Sequence, residues 1–315
     1  MKKVKSMLEL IGNTPIKKLE AVGKGIDANI WVKLEHLNPS GSIKDRIALE
    51  MIEDAEKSGK LKKGVTIIES SSGNTAMALS FVGAVKGYKR VIFMADVMAK
   101  EKVEMIKRYG SEIRIVKIGE DAKDASVHGA YVEVPGRMMC KEMEKNTPNV
   151  WWARQFSNPA NYRAHMKLGQ EILEQLGTQI DAFVASVGTG GTIFGVAKVL
   201  KEKIPNVKII AVEPEGSFDH MTLSNFKIIP GVTGGILREI SDSKLVDEIR
   251  KVKDQDAIEM NHRLIKEEGV FVGISAGANV LTALNVAKDL GKAKNVVTFL
   301  PDRGDRYITS EHYIT

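Results

Sequence analysis

The chain has 315 residues, 43% hydrophobic and 27% charged; that balance excludes a disordered chain and gives about two domains room for a buried core. Its net charge of +6 comes from 46 Lys+Arg against 40 Asp+Glu, with the signs interleaved as over residues 50–63, so no nucleic-acid stripe is expected. Cys140 is the only cysteine, which excludes an internal disulfide and a multi-cysteine zinc site; without a secretory signal or an apolar run near the roughly 18 residues of a membrane span, a soluble cytoplasmic protein is expected.

Strand and helix candidates alternate along the chain. Ile30–Leu34 precedes a helix over Ile43–Lys57, with Ile43, Ile47, Met51, Ile52 and Ala55 on one stripe. Thr66–Glu69 leads into Thr75–Lys86, and Val91–Met94 into Ala99–Tyr109. Ile113–Ile118 is followed by an irregular stretch, Glu120–Asn149, with an apparent helix at Arg137–Lys145. Tyr162–Leu176 belongs to a helix that starts near Pro159. Ala182–Val187 leads into Thr192–Lys203, Lys208–Val212 precedes Asp254–Glu268, and Val270–Gly273 leads into Ala276–Leu290. Asn295–Leu300 is the last strand candidate. Several of these strands are nearly continuous apolar runs without polar alternation, the mark of strands covered on both faces. Such alternation predicts an α/β protein with right-handed crossovers. Asn146-Thr147-Pro148-Asn149 breaks a helix, so a domain boundary falls near residues 145–155.

Chemistry concentrates in the turns between these elements. In Asn38-Pro39-Ser40-Gly41-Ser42-Ile43-Lys44-Asp45-Arg46, Ser42 and Asp45 read as a capping box. Lys44 then lies in the first helical turn, where the helix dipole disfavours its charged form and suits a Schiff-base nucleophile; the plain alternative is a surface lysine. Ser70-Ser71-Ser72-Gly73-Asn74-Thr75 runs from a strand into a helix. Its N–H groups and hydroxyls suit an anion of carboxylate size, and Asn74 adds an amide for a phenolic oxygen; the alternative is a capped turn. Gly188-Thr189-Gly190-Gly191-Thr192 can cradle a phosphate. A dinucleotide fingerprint with Glu213 is the rival, but Ile193 stands where a third glycine is needed. Ser275 opens another helix after a strand, and Gln155 to Asn161 supply amides before a further one. Both also read as ordinary caps. The six histidines lack metal-ligand spacing and read as surface or supporting groups. Cys140 reads as a packed residue, Trp151 and Trp152 as core, and Asp302 and Asp305 as salt-bridged loop residues.

Together these segments resemble the cysteine synthase (O-acetylserine sulfhydrylase) family of pyridoxal-phosphate enzymes, of the tryptophan-synthase-β fold type. The resemblance begins at Ile11-Gly12-Asn13-Thr14-Pro15 and runs through the lysine segment, the serine–asparagine loop, Gln155–Asn161, the glycine turn and Gly273–Gly277 to Pro301–Tyr307. It implies PLP fold type II: two open, twisted, mostly parallel sheets with helices on both faces. Residues 41–150 would form a smaller domain and residues 1–40 with 151–315 a larger one, with the active site in the cleft between them. The cofactor implied is pyridoxal 5'-phosphate, bound to Lys44 as a Schiff base. Asn74 would meet its phenolic oxygen, Gly188, Thr189, Gly190, Gly191 and Thr192 its phosphate, and Ser275 its pyridine nitrogen. Ser71, Ser72, Gly73, Asn74, Thr75 and Gln155 would bind the substrate carboxylate.

The implied reaction is β-replacement on an O-activated serine, O-acetylserine or O-phosphoserine, with sulfide or a thiol, in a homodimer. Three alternatives stand beside it: a cysteine-degrading or cystathionine-synthase-type enzyme, a nucleotide-binding dehydrogenase, and a silent binding protein on the same fold. The chain departs from the family pattern at Ser70-Ser71, Ala76, Ala125–Glu144 and Gly231–Gly235, and Arg238 is a candidate contact for an anionic leaving group.

Overall fold

A computed structural model describes residues 3–71, 73–96, 100–117, 130–215 and 244–309. The candidates Ser72 and Gly231–Arg238 lie outside the described residues. Two sheets organise the chain. The larger has six strands in the order β1-β2-β10-β7-β8-β9: Ile16–Lys18, Asn29–Lys33, Asn295–Phe299, Ala182–Ser186, Lys208–Pro214 and Glu248–Val252. The smaller has four in the order β5-β4-β3-β6: Glu112–Val116, Lys89–Ala95, Thr66–Ser70 and Val150–Trp152. Every pairing is parallel except β1 with β2. The fold is therefore α/β with two mostly parallel sheets, as expected.

Side-chain alternation explains why several strands read as nearly continuous apolar runs. Eight helices are described: α1 (Lys44–Lys57), α2 (Asn74–Val85), α3 (Lys100–Arg108), α4 (Ala130–Asn146), α5 (Pro159–Leu176), α6 (Gly191–Lys203), α7 (Asp254–Glu268) and α8 (Ile274–Leu290). On the large sheet Ala182, Val184, Ile210 and Val212 face a core with Ile258, Leu264, Val280 and Leu284 from α7 and α8. Their neighbours Phe183, Ala185, Ile209 and Ala211 face the opposite core, with Leu168, Ile172, Val196 and Leu200 from α5 and α6. The small sheet divides likewise. Ile67 packs with Ile47, Met51, Leu79 and Val82 of α1 and α2, whereas Ile68, Val91 and Phe93 pack with Cys140 of α4.

Several expectations need correction. Val270–Gly273 is not a strand: Val272 makes only an isolated bridge to Arg303. The partner of β8 is β9, whose sequence Glu-Ile-Arg-Lys-Val is mostly exposed and lacks an apolar run. The short strands β1 and β6 were not anticipated either. The Ser42–Asp45 capping box is not formed. Ile43 caps α1 without a side-chain bond, and the Asp45 carboxylate turns back to Ser40, accepting from its N–H at 2.6 Å and from its hydroxyl.

A buried ionic cluster ties α1 to the large sheet. Arg46 bonds Glu35 through Nε at 2.7 Å and Nη2 at 2.8 Å, and Glu171 of α5 through Nη1 at 2.6 Å and Nη2 at 2.7 Å. Lys33 of β2 completes it, 2.7 Å from Glu171. Two cations meet two carboxylates, so the charge balances where water is excluded. The Gly12–Thr14 segment closes over this cluster. The Thr14 hydroxyl donates to Glu35 at 2.6 Å and its carbonyl accepts from Lys33. Gly12 has φ +80°, and a Cβ there would come within 2.9 Å of Arg46 Nη1. The glycine is thus required by backbone and by space.

Candidate active site

One cavity is lined by Lys44, Asn74, Ser186, Gly188, Thr189, Gly190, Thr192, Ser275, Pro301 and Asp302, with Ile43, Ile193 and Phe299 as apolar wall. Lys44 opens α1, Asn74 opens α2, the glycine turn joins β7 to α6, and Ser275 lies in the first turn of α8. Residues as far apart as Lys44 and Asp302 thus converge, with Lys44, Asn74, the glycine turn and Ser275 each at a helix N-terminus. Gly191, Ser71, Gly73, Thr75 and Gln155 do not line this cavity.

The glycine turn is shaped by its neighbours. Gly190 is left-handed, φ +83°, and ends the turn as the cap of α6. A Cβ on Gly191 would lie 2.0 Å from Asn161 Oδ1, so only glycine fits. Asn161 in turn donates to the Thr189 hydroxyl at 2.9 Å and to the Gln155 carbonyl at 2.7 Å. Thr189 therefore accepts from Asn161 and keeps its own hydroxyl proton for a ligand.

Thr192 is oriented oppositely, by one of the histidines that the sequence marks only as surface or supporting groups. His165 of α5 is fully buried, with Nδ1 2.9 Å from the Asn161 carbonyl and Nε2 3.0 Å from Thr192 Oγ1. A carbonyl only accepts, so Nδ1 carries the proton. Burial, and then the nearby Lys44 charge, push the imidazole pKa down to about 3. Neutral Nε2 is then an acceptor and takes the Thr192 hydroxyl proton. Thr192 retains its main-chain N–H, not its hydroxyl, as a donor toward the cavity.

The serine loop is anchored from below. Glu69, next to last in β3, is fully buried and accepts from Trp152 Nε1 at 2.9 Å, Ser70 N–H at 2.8 Å and Gln155 N–H at 2.9 Å. Burial pushes its carboxyl pKa up, and these bonds oppose that shift. The Gln155 side chain accepts from the Thr75 hydroxyl at 2.6 Å, and Gly73 N–H reaches Ser71 Oγ at 3.4 Å. These four candidates are brought together beside the cavity.

In the C-terminal turn the structure corrects the role of one residue. Asp305 is the expected loop ion pair, with Arg303 at 2.5 Å. Asp302 is not: it is 1% exposed and lines the cavity. Its carboxylate accepts from Asn74 Nδ2 at 2.6 Å and from the Tyr307 hydroxyl. The proline before it was the available signal, since Pro301 follows the apolar strand β10 and marks its carboxyl end.

The cavity suits pyridoxal phosphate. It offers an amine for the aldehyde, a helix N-terminus with a left-handed glycine for the phosphate, an amide N–H and a hydroxyl. Among the described residues no His, Cys, Asp and Glu group suited to a metal is present, and no helix is long and apolar enough to cross a membrane.

Comparison with known proteins agrees. Residues 7–302 match the family model described as pyridoxal-phosphate dependent enzyme. A cysteine synthase of Staphylococcus aureus is 43% identical, covering 99% of this chain and 98% of that protein. A crystal structure of a cysteine synthase from Entamoeba histolytica superposes with a TM-score of 0.89 at 36% identity, covering 100% of this chain and 92% of the other. That of a hydrogen sulfide-producing enzyme from Fusobacterium nucleatum gives 0.87, also at 36% identity, covering 98% and 99%. The match along nearly the whole chain, on the fold and cavity described above, makes this protein a member of the pyridoxal-phosphate dependent enzyme family.

Proposed function

We propose that the protein makes L-cysteine by β-replacement on an O-activated serine, O-acetylserine or O-phosphoserine, with sulfide as the nucleophile. The observation that carries this reading is the convergence of Lys44, Asn74, the 188–192 turn and Ser275 on one cavity. Pyridoxal 5'-phosphate supplies an electron sink for the substrate's α-carbon. Lys44 is the amine that holds the cofactor and the base that moves the α-proton. The Thr189 hydroxyl and the N–H groups of Gly188, Gly190, Gly191 and Thr192 hold the phosphate. Asn74 donates to the phenolic oxygen. Ser71, Ser72, Gly73, Asn74, Thr75 and Gln155 receive the substrate carboxylate, which fixes the α-carbon over Lys44. Ser275 would meet the pyridine nitrogen. Unlike an aspartate, a hydroxyl does not hold that nitrogen protonated, so electron withdrawal is weaker and loss of a β-substituent is favoured over transamination.

The same reading takes residues 41–150 as a smaller domain, residues 1–40 with 151–315 as a larger one, and a cytoplasmic homodimer as the working form. A hydrogen sulfide-releasing reaction on cysteine is the second reading, supported by the equal 36% identity to structures of a cysteine synthase and a hydrogen sulfide-producing enzyme.

The test has two parts. Borohydride reduction of the yellow protein should attach the cofactor to Lys44, and Lys44→Ala should abolish both the attachment and turnover. Rates with O-acetylserine, O-phosphoserine and serine, each with sulfide, are then compared with sulfide release from cysteine alone. Cysteine formation should be the faster reaction. Sulfide release without cysteine formation would select the second reading.

A further inference from the structure

We propose that Asp302 is a positioning residue: its carboxylate fixes the amide of Asn74 so that one Asn74 N–H is aimed at the cofactor's phenolic oxygen. This rests on the assignment of Asn74 to that oxygen. An asparagine side chain has one carbonyl oxygen and two N–H donors, and it can flip. Here both ends are held. Asn74 Nδ2 donates to Asp302 Oδ2 at 2.6 Å, and Asn74 Oδ1 accepts from Arg306 Nη1. A flipped amide would set its oxygen against a carboxylate and its N–H against a guanidinium, so the orientation is decided by charge. One N–H is used on Asp302 and one remains. The Arg306 cation at the amide oxygen polarises the amide and strengthens its N–H groups as donors, and the Asp302 anion fixes which way they point.

Asp302 is itself placed by the neighbouring turns. Ile43 N–H donates to the Pro301 carbonyl at 2.8 Å and Gly273 N–H to the Asp302 carbonyl at 3.0 Å. Asp302 also forms a bridge with Ser42. A Cβ on Gly273 would come within 2.2 Å of Asp302 Oδ1, so the glycine before Ser275 makes room for the carboxylate. Asp302 Oδ1 is buried and has no hydrogen-bond partner, so Oδ2 carries the bonds to Asn74 and Tyr307. One short segment thus joins the turn before Lys44, the turn before Ser275 and the side chain of Asn74. Arg306 Nη2 adds a bond to the Ser40 carbonyl at 2.6 Å.

The test uses the holoenzyme and two readouts, the visible absorption of the bound cofactor and its dissociation constant. Asn74→Ala should shift the spectrum and weaken cofactor binding about tenfold, the worth of one charge-assisted bond. Asp302→Ala should shift the spectrum in the same direction, and the double variant should move no further than Asn74→Ala alone. Asp302→Asn should stay near the parental spectrum, because its amide oxygen still accepts from Asn74. Tyr307→Phe removes the other donor to the same oxygen and should leave the spectrum unchanged. An unchanged spectrum in Asn74→Ala would overturn the assignment of Asn74 itself. A shift in Asn74→Ala with none in Asp302→Ala, or additive shifts in the double variant, would overturn the role of Asp302 alone. Should Asp302→Ala not fold, Asn74→Asp sets two carboxylates face to face. Adding Asp302→Asn should then restore the melting temperature without restoring the spectrum, and no recovery of melting temperature would overturn the contact.

Discussion

Arg46 grips Glu171 with two parallel hydrogen bonds, Nη1 to Oε1 at 2.6 Å and Nη2 to Oε2 at 2.7 Å. Arg46 stands two residues after Lys44 on α1, and Glu171 lies on α5, which packs against the large sheet. The pair therefore fixes the helix that presents the candidate catalytic amine. Arg46 is 6% exposed and its second partner Glu35 is fully buried.

Removing Arg46 should be far costlier than removing a surface cation. Arg46→Ala leaves Glu35 and Glu171 buried against Lys33 alone, and such a break costs about 3–5 kcal/mol. Urea unfolding should show a lower midpoint for Arg46→Ala. Lys107→Ala, which breaks the exposed pair with Glu104, should cost less than about 1 kcal/mol.

The same cluster predicts an acid limit. Burial alone would push the Glu35 pKa up, but the Arg46 charge and hydrogen bonds outweigh it and hold the carboxyl at about 2, below its ordinary 4.5. A folded value below the unfolded one means the contribution is fully present above about pH 4.5. It is lost as the pH falls through about 2. Unfolding midpoints measured from pH 7 to pH 2.5 should drop below pH 4.5, and Glu35→Gln should start lower and drop less steeply. Parallel curves for the two proteins would assign the acid limit to other carboxylates.

Thr189 and Thr192 should not be equivalent in the phosphate turn. Thr189 keeps its hydroxyl proton because Asn161 donates to it, whereas the Thr192 proton is taken by His165. Thr189→Val should weaken pyridoxal phosphate binding roughly tenfold or more, the worth of a hydrogen bond to a charged group. Thr192→Val should weaken it less. Equilibrium titration of the apo-protein with cofactor distinguishes them, and equal losses would show that Thr192 turns its hydroxyl to the phosphate.

Cys140 should be inert in the native state. It is fully buried in α4 against the small sheet, and burial pushes its thiol pKa up, so little thiolate forms at neutral pH. A colorimetric thiol reagent should find no reactive group in the folded protein and one after denaturation. Rapid labelling of the folded protein would mean that α4 opens readily from the sheet.

How much of this was legible depended on whether a property is local. Nearly continuous apolar runs such as Ala182–Val187 are local, and they announced strands buried on both faces. Their two cores divide by alternation, as Phe183 and Val184 show. Asn74 and Gly190 were legible because each stands at a strand-to-helix turn, of β3 into α2 and of β7 into α6; Lys44 and Ser275 follow no strand directly, and the fold brings them to the same cavity. Strand β9 was not legible. Its residues are mostly exposed at a sheet edge, so pairing with β8 decides its conformation and no burial pattern records it.

The sequence by itself determined the α/β class, its helices and apolar strands, and the chemical groups available to the cavity, since these follow from periodicity and turn chemistry along the chain. Only the tertiary structure decided which polar side chains lose water. His165, Glu69 and Asp302 have the composition of ordinary polar positions, yet each is buried among partners distant in sequence: His165 with Thr192, Glu69 with Trp152, Asp302 with Asn74. It also gave Asp45 to Ser40 instead of Ser42. A side chain's donors and acceptors are set by its own covalent structure. Their partners, and with them protonation and orientation, are set by whatever the fold brings within about 3 Å in a medium too dry for water to compete.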